Sequence, residues 1–110
     1  MTSVCLKKSG VTSYSSFSAE GHSGYGDEGS DIVCAAVSAA TELVIEMLRR
    51  FGVDSKVDID EKRALVLCNI RESEENAEKR DIIENLLGGY IDYVRDVEKE
   101  YPKYLKCKIS

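Results

Sequence analysis

Residues 21–37 read GHSGYGDEGSDIVCAAV, and the character of the chain changes within this stretch. The first part is polar and contains four glycines and the chain's only histidine, His22. The second part has the composition of an apolar helix with Cys34 in its first turn. Either Ser30 or Asp31 can cap that helix by accepting hydrogen bonds from its free backbone N–H groups. The stretch therefore predicts a glycine-rich loop that leads directly into a buried helix.

The positions of Cys34 and His22 suggest thiol chemistry. A cysteine in the first turn of a helix lies near the positive end of the macrodipole, which favours the thiolate over the thiol. If the loop folds back, His22 can reach the same sulfur as its general base. The competing interpretation is a small buried core cysteine and a solvated histidine. Their occurrence together, around a helix cap and a glycine-rich loop, is what thiolate chemistry requires, and the residues alone leave both interpretations open.

Two segments of the chain, GHSGYG at 21–26 and DIVCAAVSA at 31–39, resemble the ribosomal-processing cysteine protease (Prp) family. The family pattern is Gly-His, a glycine-containing loop, and then Asp-hydrophobic-Val-Cys-Ala-Ala-Val-Ser. The chain departs from it at Ser23, where alanine is more usual, but a small residue is kept. The resemblance covers the whole chain in length and element order, and it implies that His22 and Cys34 are the catalytic pair.

The resemblance also implies a substrate and a partner. Proteins of this family remove a short N-terminal extension from a bacterial large-subunit ribosomal protein and cut after an apolar, aromatic-ended segment. They also form homodimers, which here could use the apolar first helix or Gly88-Gly89. The resulting expectation is a hydrolase of the cysteine endopeptidase class that needs no cofactor and in which the Cys34 thiolate attacks a peptide carbonyl.

Two residues near the catalytic pair are candidates for supporting roles. Asp31 either orients His22 or only caps the helix, and both roles remain open at this point. Ser38 lies one turn after Cys34 on the same helix face, where it either lines the substrate site or packs as a small residue.

Four further candidates belong to the glycine-rich loop over residues 21–31. We expect this loop to be mobile and to become ordered over the substrate, because glycine-rich backbone is adaptable and costly to order. Its aromatic side chain offers a contact for an apolar substrate. The four residues are Gly21, Gly24, Tyr25 and Gly26.

Composition narrows the classes of function. The chain has 110 residues, which predicts a single domain over 1–110. The resemblance implies that this is a cysteine protease domain. Its net charge of −5 and the lack of a basic stripe argue against direct nucleic-acid binding. The polar start is unlike a signal peptide, and no apolar run is long enough for a membrane span. We therefore expect a cytoplasmic protein that does not enter a membrane.

The four cysteines, at positions 5, 34, 68 and 107, do not have the spacing of a zinc site. In a reducing compartment they are expected to be free thiols, and the three other than Cys34 fall in apparent strands. The glycine-rich loop lacks the lysine of a phosphate-binding loop and carries Asp27 and Glu28 instead. These observations predict no metal ion and no nucleotide cofactor.

The pattern of apolar residues predicts an α+β fold with the element order ββαββαβ. We expect a mostly antiparallel sheet of about five strands with two helices packed on one face. The segment ALVLCNI is continuously apolar, which predicts a strand in the interior of the sheet. The first helix is apolar around so much of its surface that we expect it to be mostly buried. The predicted strands cover 3–7, 12–19, 53–59, 64–70 and 104–109, and the predicted helices cover 32–50 and 73–99.

Two other classes of function remain open on the sequence alone. A redox or thiol-transfer protein would use Cys34 as a low-pKa thiol, but it would need a resolving cysteine and none is adjacent in sequence. A non-catalytic ribosome-associated binding protein would use Cys34 only as a core residue.

Overall fold

The structure, a computed structural model, describes residues 1–22, 24, 26 and 31–110. The described part of the chain is an α+β fold in the predicted order, except that two helices follow the fourth strand. The elements are β1 (Thr2–Ser9), β2 (Ser13–Glu20), α1 (Ile32–Arg50), β3 (Ser55–Asp60), β4 (Leu65–Ile70), α2 (Glu74–Glu78), α3 (Arg80–Glu100) and β5 (Leu105–Ile109).

The described strands form one five-stranded sheet in the order β3-β4-β2-β1-β5. The neighbours β3–β4, β4–β2 and β2–β1 are antiparallel, and β1–β5 is parallel. The prediction of a mostly antiparallel sheet is thus confirmed. The β4 strand has partners on both sides, as its continuous apolar sequence indicated.

One face of the sheet forms the core. Along β1 the side chains alternate, so that Val4 and Leu6 are buried while Cys5 is exposed. The register places Leu6 beside Phe17, which in turn lies beside Cys68 on β4. Both α1 and α3 pack on this buried face. This confirms the prediction of two helices on one side of the sheet.

The first helix is buried on only one side, so the expectation that most of its surface is covered is wrong for the isolated chain. Val33, Val37 and Val44 are buried. A second apolar line is exposed because α1 packs chiefly against α3 and only lightly against β2. Its exposed side chains are Ile32 (51%), Leu43 (62%), Met47 (37%) and Phe51 (47%).

The single helix predicted over 73–99 is divided at Lys79. Ser73 caps α2, where its Oγ accepts a hydrogen bond from the Asn76 N–H at 3.2 Å. Lys79 has φ −101° and ψ 17° and separates α2 from α3. The Asn76 side chain bonds to the backbone of Asp54 and Arg71, which fixes α2 against the ends of β3 and β4. Within the described residues, no helix has the length and apolar character needed to cross a bilayer.

Candidate active site

The cap of α1 fixes the position of Cys34. Asp31 is the N-cap residue, and its Oδ1 accepts a hydrogen bond from the Cys34 N–H at 2.9 Å. Its backbone carbonyl accepts another from the Ala35 N–H at 3.0 Å. Asp31 is itself buried. The Asp31 carboxylate therefore caps the helix turn that carries the Cys34 sulfur, which is one of its two predicted roles. Its other predicted role, to orient His22, stays a prediction.

Two hydrogen bonds hold the backbone of Gly21 and form the Gly21 clamp. They fix the chain where it leaves the end of β2 and continues to His22. The Gly21 N–H donates to the Ala64 carbonyl at 3.1 Å, and its carbonyl accepts from the Thr2 hydroxyl at 3.1 Å. Gly21 has φ +87°, and a Cβ there would lie 2.8 Å from the Met1 carbonyl oxygen. Both the backbone angle and the close approach require glycine.

His22 and Cys34 line the same cleft, whose volume is about 560 Å³. His22 is exposed and Cys34 is half-buried at the cleft surface. Gly21 and Ser38 line this cleft as well. The structure therefore brings together four of the residues predicted from the sequence. A histidine and an accessible thiol in one cleft are the two groups that nucleophilic thiol catalysis uses.

The cleft runs along α1 and is closed on its other side by the turn and strand of the β3–β4 hairpin. The α1 wall continues beyond Cys34 through one helix face. The hairpin wall is largely apolar, and Ile59 is one of its most exposed side chains. The lining residues from these two walls are Val37, Ser38, Thr41 and Glu42 on α1, and Ile59, Asp60, Glu61, Ala64, Leu65 and Val66 on the hairpin.

The predicted loop is only partly within the described residues. Gly24 has φ +80° with open space around a Cβ, and Gly26 is exposed. Tyr25 lies outside the described residues, as does Ser30, the alternative helix cap. The substrate contact of Tyr25 and the mobility of residues 21–31 therefore stay predictions.

The other cysteines lie away from the cleft. All four cysteines are free thiols, and only Cys34 lines the cleft. Burial raises the pKa of the Cys68 thiol, which is fully enclosed in the core. Burial also raises the pKa of Cys107, although the nearby Arg95 opposes this effect. Among the residues that the structure describes, no three His, Cys, Asp or Glu side chains are grouped to hold a metal ion.

Alkylation should therefore separate the four thiols. With iodoacetamide under native conditions we expect Cys5 and Cys34 to be labelled, Cys107 more slowly, and Cys68 only after unfolding. The reason is that Cys68 is inaccessible and that its raised pKa keeps it as the thiol, which is less nucleophilic than the thiolate. Peptide mapping by mass spectrometry measures this order, and the Cys34→Ala protein identifies the contribution of that site. Labelling of Cys68 as fast as Cys5 would contradict the structure.

Comparison with solved structures finds proteins of the same fold. The solved structure of the essential ribosomal processing protease Prp from S. aureus, in complex with a covalently linked product peptide, matches with a TM-score of 0.83 and 17% identity over 100% of both chains. SMU.848 from Streptococcus mutans matches with a TM-score of 0.79 and 22% identity over 99% of this chain and 93% of that one. At these identities the two matches show the shared fold.

A search of curated proteins finds no significant match. The family model described as Cysteine protease Prp matches residues 1–106. This match covers both walls of the cleft, the Gly21 clamp and the capped start of α1. The chain belongs to the cysteine protease Prp family.

Proposed function

We propose that this protease removes a short N-terminal extension from a bacterial large-subunit ribosomal protein, with Cys34 as nucleophile and His22 as general base. The observation that carries the proposal is the presence of both side chains in one cleft, at the capped start of α1. The S. aureus relative, a ribosomal processing protease, has been solved with a substrate peptide as well as with a product peptide, which supports a peptide substrate here.

The chemistry follows that of thiol acyl transfer. His22 takes the proton of Cys34, and the thiolate attacks the carbonyl carbon of the scissile peptide. The C–N bond breaks, and the leaving amine receives the proton from His22. Water, deprotonated by His22, then attacks the thioester carbonyl carbon. The C–S bond breaks, the carboxylic acid product leaves, and the thiolate takes the proton back from His22. Because the Cys34 N–H is bonded to Asp31, other N–H groups at the start of α1 are the expected oxyanion donors.

The cleft suits an apolar segment of an extended peptide. Apolar side chains from β2, α1 and the β3–β4 hairpin line it, and its volume of about 560 Å³ is sufficient for several substrate side chains. Ser38, one turn beyond Cys34, lines the cleft, and in this proposal it contacts that peptide. In this proposal Gly24, Tyr25 and Gly26 belong to the loop that closes over the bound segment. A reducing cytoplasm would keep the Cys34 thiol active.

The structure favours proteolysis over thiol redox chemistry. A dithiol mechanism needs a second cysteine within reach of the reactive one. None of the other three cysteines lines the cleft, and Cys68 is enclosed in the core. The remaining alternative, a non-catalytic binding protein, does not account for a half-buried Cys34 thiol in the same cleft as His22.

The test of the substrate uses the ribosomal protein with and without its extension. After incubation with the protease, intact-mass analysis is expected to show one truncated product from the extended form. The form that lacks the extension should keep its mass. An unchanged mass of the extended form, or many cleavage products, would contradict the proposed substrate.

We further propose that a second copy of the chain covers the groove between α1 and α3. The groove has a volume of about 460 Å³ and is almost entirely apolar. Side chains of α1 and α3 form its rim, with Leu43 62% exposed and Tyr93 46% exposed. Gly89 lines it with open space where a Cβ would stand, so a helix of a partner can approach closely. The homodimer implied by the family resemblance would cover this surface.

Leu43→Asp is expected to shift the protein from dimer to monomer, because it places a charge where apolar area is buried. We expect the dimer dissociation constant to rise at least about 100-fold, since burial of one leucine and desolvation of one carboxylate together exceed about 2.7 kcal/mol. Sedimentation velocity measures the change. Glu46→Gln, exposed on the same helix, is the matched control and should stay dimeric. An unchanged dimer of Leu43→Asp would place the interface elsewhere.

A further inference from the structure

A row of apolar side chains crosses the sheet and continues into the cleft. The register pairs Ile59 of β3 with Val66 of β4, Val66 with Ala19 of β2, and Ala19 with Val4 of β1. Directly paired residues of antiparallel strands point to the same face, so all four lie on the face that carries the helices. Exposure rises along the row from 0% at Val4 and 9% at Ala19 to 69% at Ile59, with Val66 half-buried. The row therefore begins in the core and ends as an open apolar surface.

The open end of this row belongs to the hairpin wall of the cleft. Ala19, Val66 and Ile59 all line the cleft that holds His22 and Cys34. Toward the sheet, the helices pack chiefly on β2 and β5, so the edge strand β3 extends beyond their cover at this point. Ile59 therefore offers most of its side chain as free surface to a molecule that enters the cleft.

The exposure of Ile59 is unusual for its strand. Val57, on the same face, is half-buried against the core, while Lys56 and Asp58 are exposed on the opposite face. Ile59 is the most exposed of the large apolar side chains among the residues that the structure describes. Exposed apolar residues on an edge strand favour aggregation, which is why such strands usually carry charges. A ligand that covers Ile59 accounts for this exception.

We infer that Ile59 determines substrate specificity by packing against one apolar side chain of the bound peptide. This inference rests on the proposed function, and it adds the protein residue that selects this part of the substrate. The occupant is the substrate because Ile59 lines the cleft with the proposed catalytic pair, whereas the groove between α1 and α3, assigned above to a second copy, does not include it. An aliphatic or aromatic side chain suits this surface, since the side chains of Ile59 and Val66 have no hydrogen-bonding group.

The test measures peptide affinity in a Cys34→Ala background, so that it does not depend on turnover. Fluorescence anisotropy of a labelled peptide of the ribosomal protein's extension gives the dissociation constant. Ile59→Thr keeps the β-branched shape that suits a strand, but it loses the apolar contact of about two carbon atoms, so we expect the dissociation constant to rise about tenfold. Ile59→Leu keeps the apolar area and should change the dissociation constant by less than about threefold. Val11→Thr is the matched control and should bind like the parent, since Val11 is 45% exposed in the β1–β2 turn and does not line the cleft.

A scan of the peptide identifies the substrate residue that meets Ile59. Each apolar residue of the peptide is changed to Ala in turn and tested with the parent background and with Ile59→Thr. At one position the loss caused by Ile59→Thr should disappear, because the contacting side chain is already absent, and at the other positions the two losses should add. The melting temperature of Ile59→Thr should stay within about 3 °C of the parent, because an exposed side chain contributes little to stability.

The outcomes distinguish this inference from the proposed function. Binding of the extension peptide with no loss in Ile59→Thr, an equal loss in Val11→Thr, or losses that add at every peptide position would overturn the role of Ile59 alone. A shift of Ile59→Thr from dimer to monomer in sedimentation velocity would also overturn it, since Ile59 would then belong to an interface between copies. No binding by any protein, the Cys34→Ala parent included, would overturn the proposed substrate and this role with it.

Discussion

Asn76→Ala is expected to lower the free energy of unfolding by about 3–5 kcal/mol, because three hydrogen bonds are lost and polar groups remain buried. Asn76 is fully buried. Its Oδ1 accepts from the Asp54 N–H at 2.9 Å. Its Nδ2 donates to the carbonyls of Asp54 at 2.8 Å and Arg71 at 2.6 Å. One side chain thus joins α2 to both strands of the β3–β4 hairpin.

Urea denaturation of the parent and two asparagine variants measures this effect. Asn69→Ala is the matched control, since Asn69 is exposed on β4 and does not line the groove between α1 and α3. We expect the control to change stability by less than about 0.5 kcal/mol. A loss of less than about 1 kcal/mol in the free energy of unfolding of Asn76→Ala would contradict this. It would show that water or other groups form hydrogen bonds with the backbone of Asp54 and Arg71 in place of the asparagine.

Asn76 also shows a limit of prediction from sequence. It stands in the segment EENAEK, which has the composition of an exposed helix start. Its partners Asp54 and Arg71 belong to the two ends of a hairpin, and one of them is 22 residues away in sequence. Periodicity does not indicate such a contact.

The first helix illustrates a second limit. Its boundaries were predictable because the apolar residues recur at helical spacing and Gly52 follows its end with φ +74°. Its orientation was less predictable, since a helix with several apolar sides does not indicate which side faces the sheet. The side with Val33, Val37 and Val44 is covered, and the line with Leu43 and Met47 is exposed.

The candidate site was predictable where its chemistry is local in sequence. Cys34, its cap Asp31 and the preceding histidine lie within one short stretch, so their order alone suggested an activated thiol. The second wall of the cleft was not predictable, because the turn near Ala64 reaches Gly21 only through the pairing of β4 with β2. The hydrogen bond between the Thr41 and Tyr90 hydroxyls, at 2.8 Å, depends on the packing of α3 against α1 and carries no sequence signal.

The second large effect is expected at the proposed catalytic pair, Cys34 and His22. Cys34→Ala removes the only thiol in the cleft, and we expect the rate of cleavage to fall at least about 10⁴-fold, to the background level. His22→Ala leaves the thiol without its base and should cost about 10²- to 10⁴-fold. Cys5→Ala is the matched control, since Cys5 is an exposed thiol on β1. Initial rates on the extension peptide measure all three.

The most direct test of the account is intact-mass analysis of the extended ribosomal protein after incubation with the parent, Cys34→Ala, His22→Ala and Cys5→Ala proteins. The account predicts one N-terminal truncation by the parent and by Cys5→Ala, and loss of that product with the other two. Equal cleavage by the Cys34→Ala protein would contradict the central claim that this thiol, which lines the cleft along α1 together with His22, is the nucleophile.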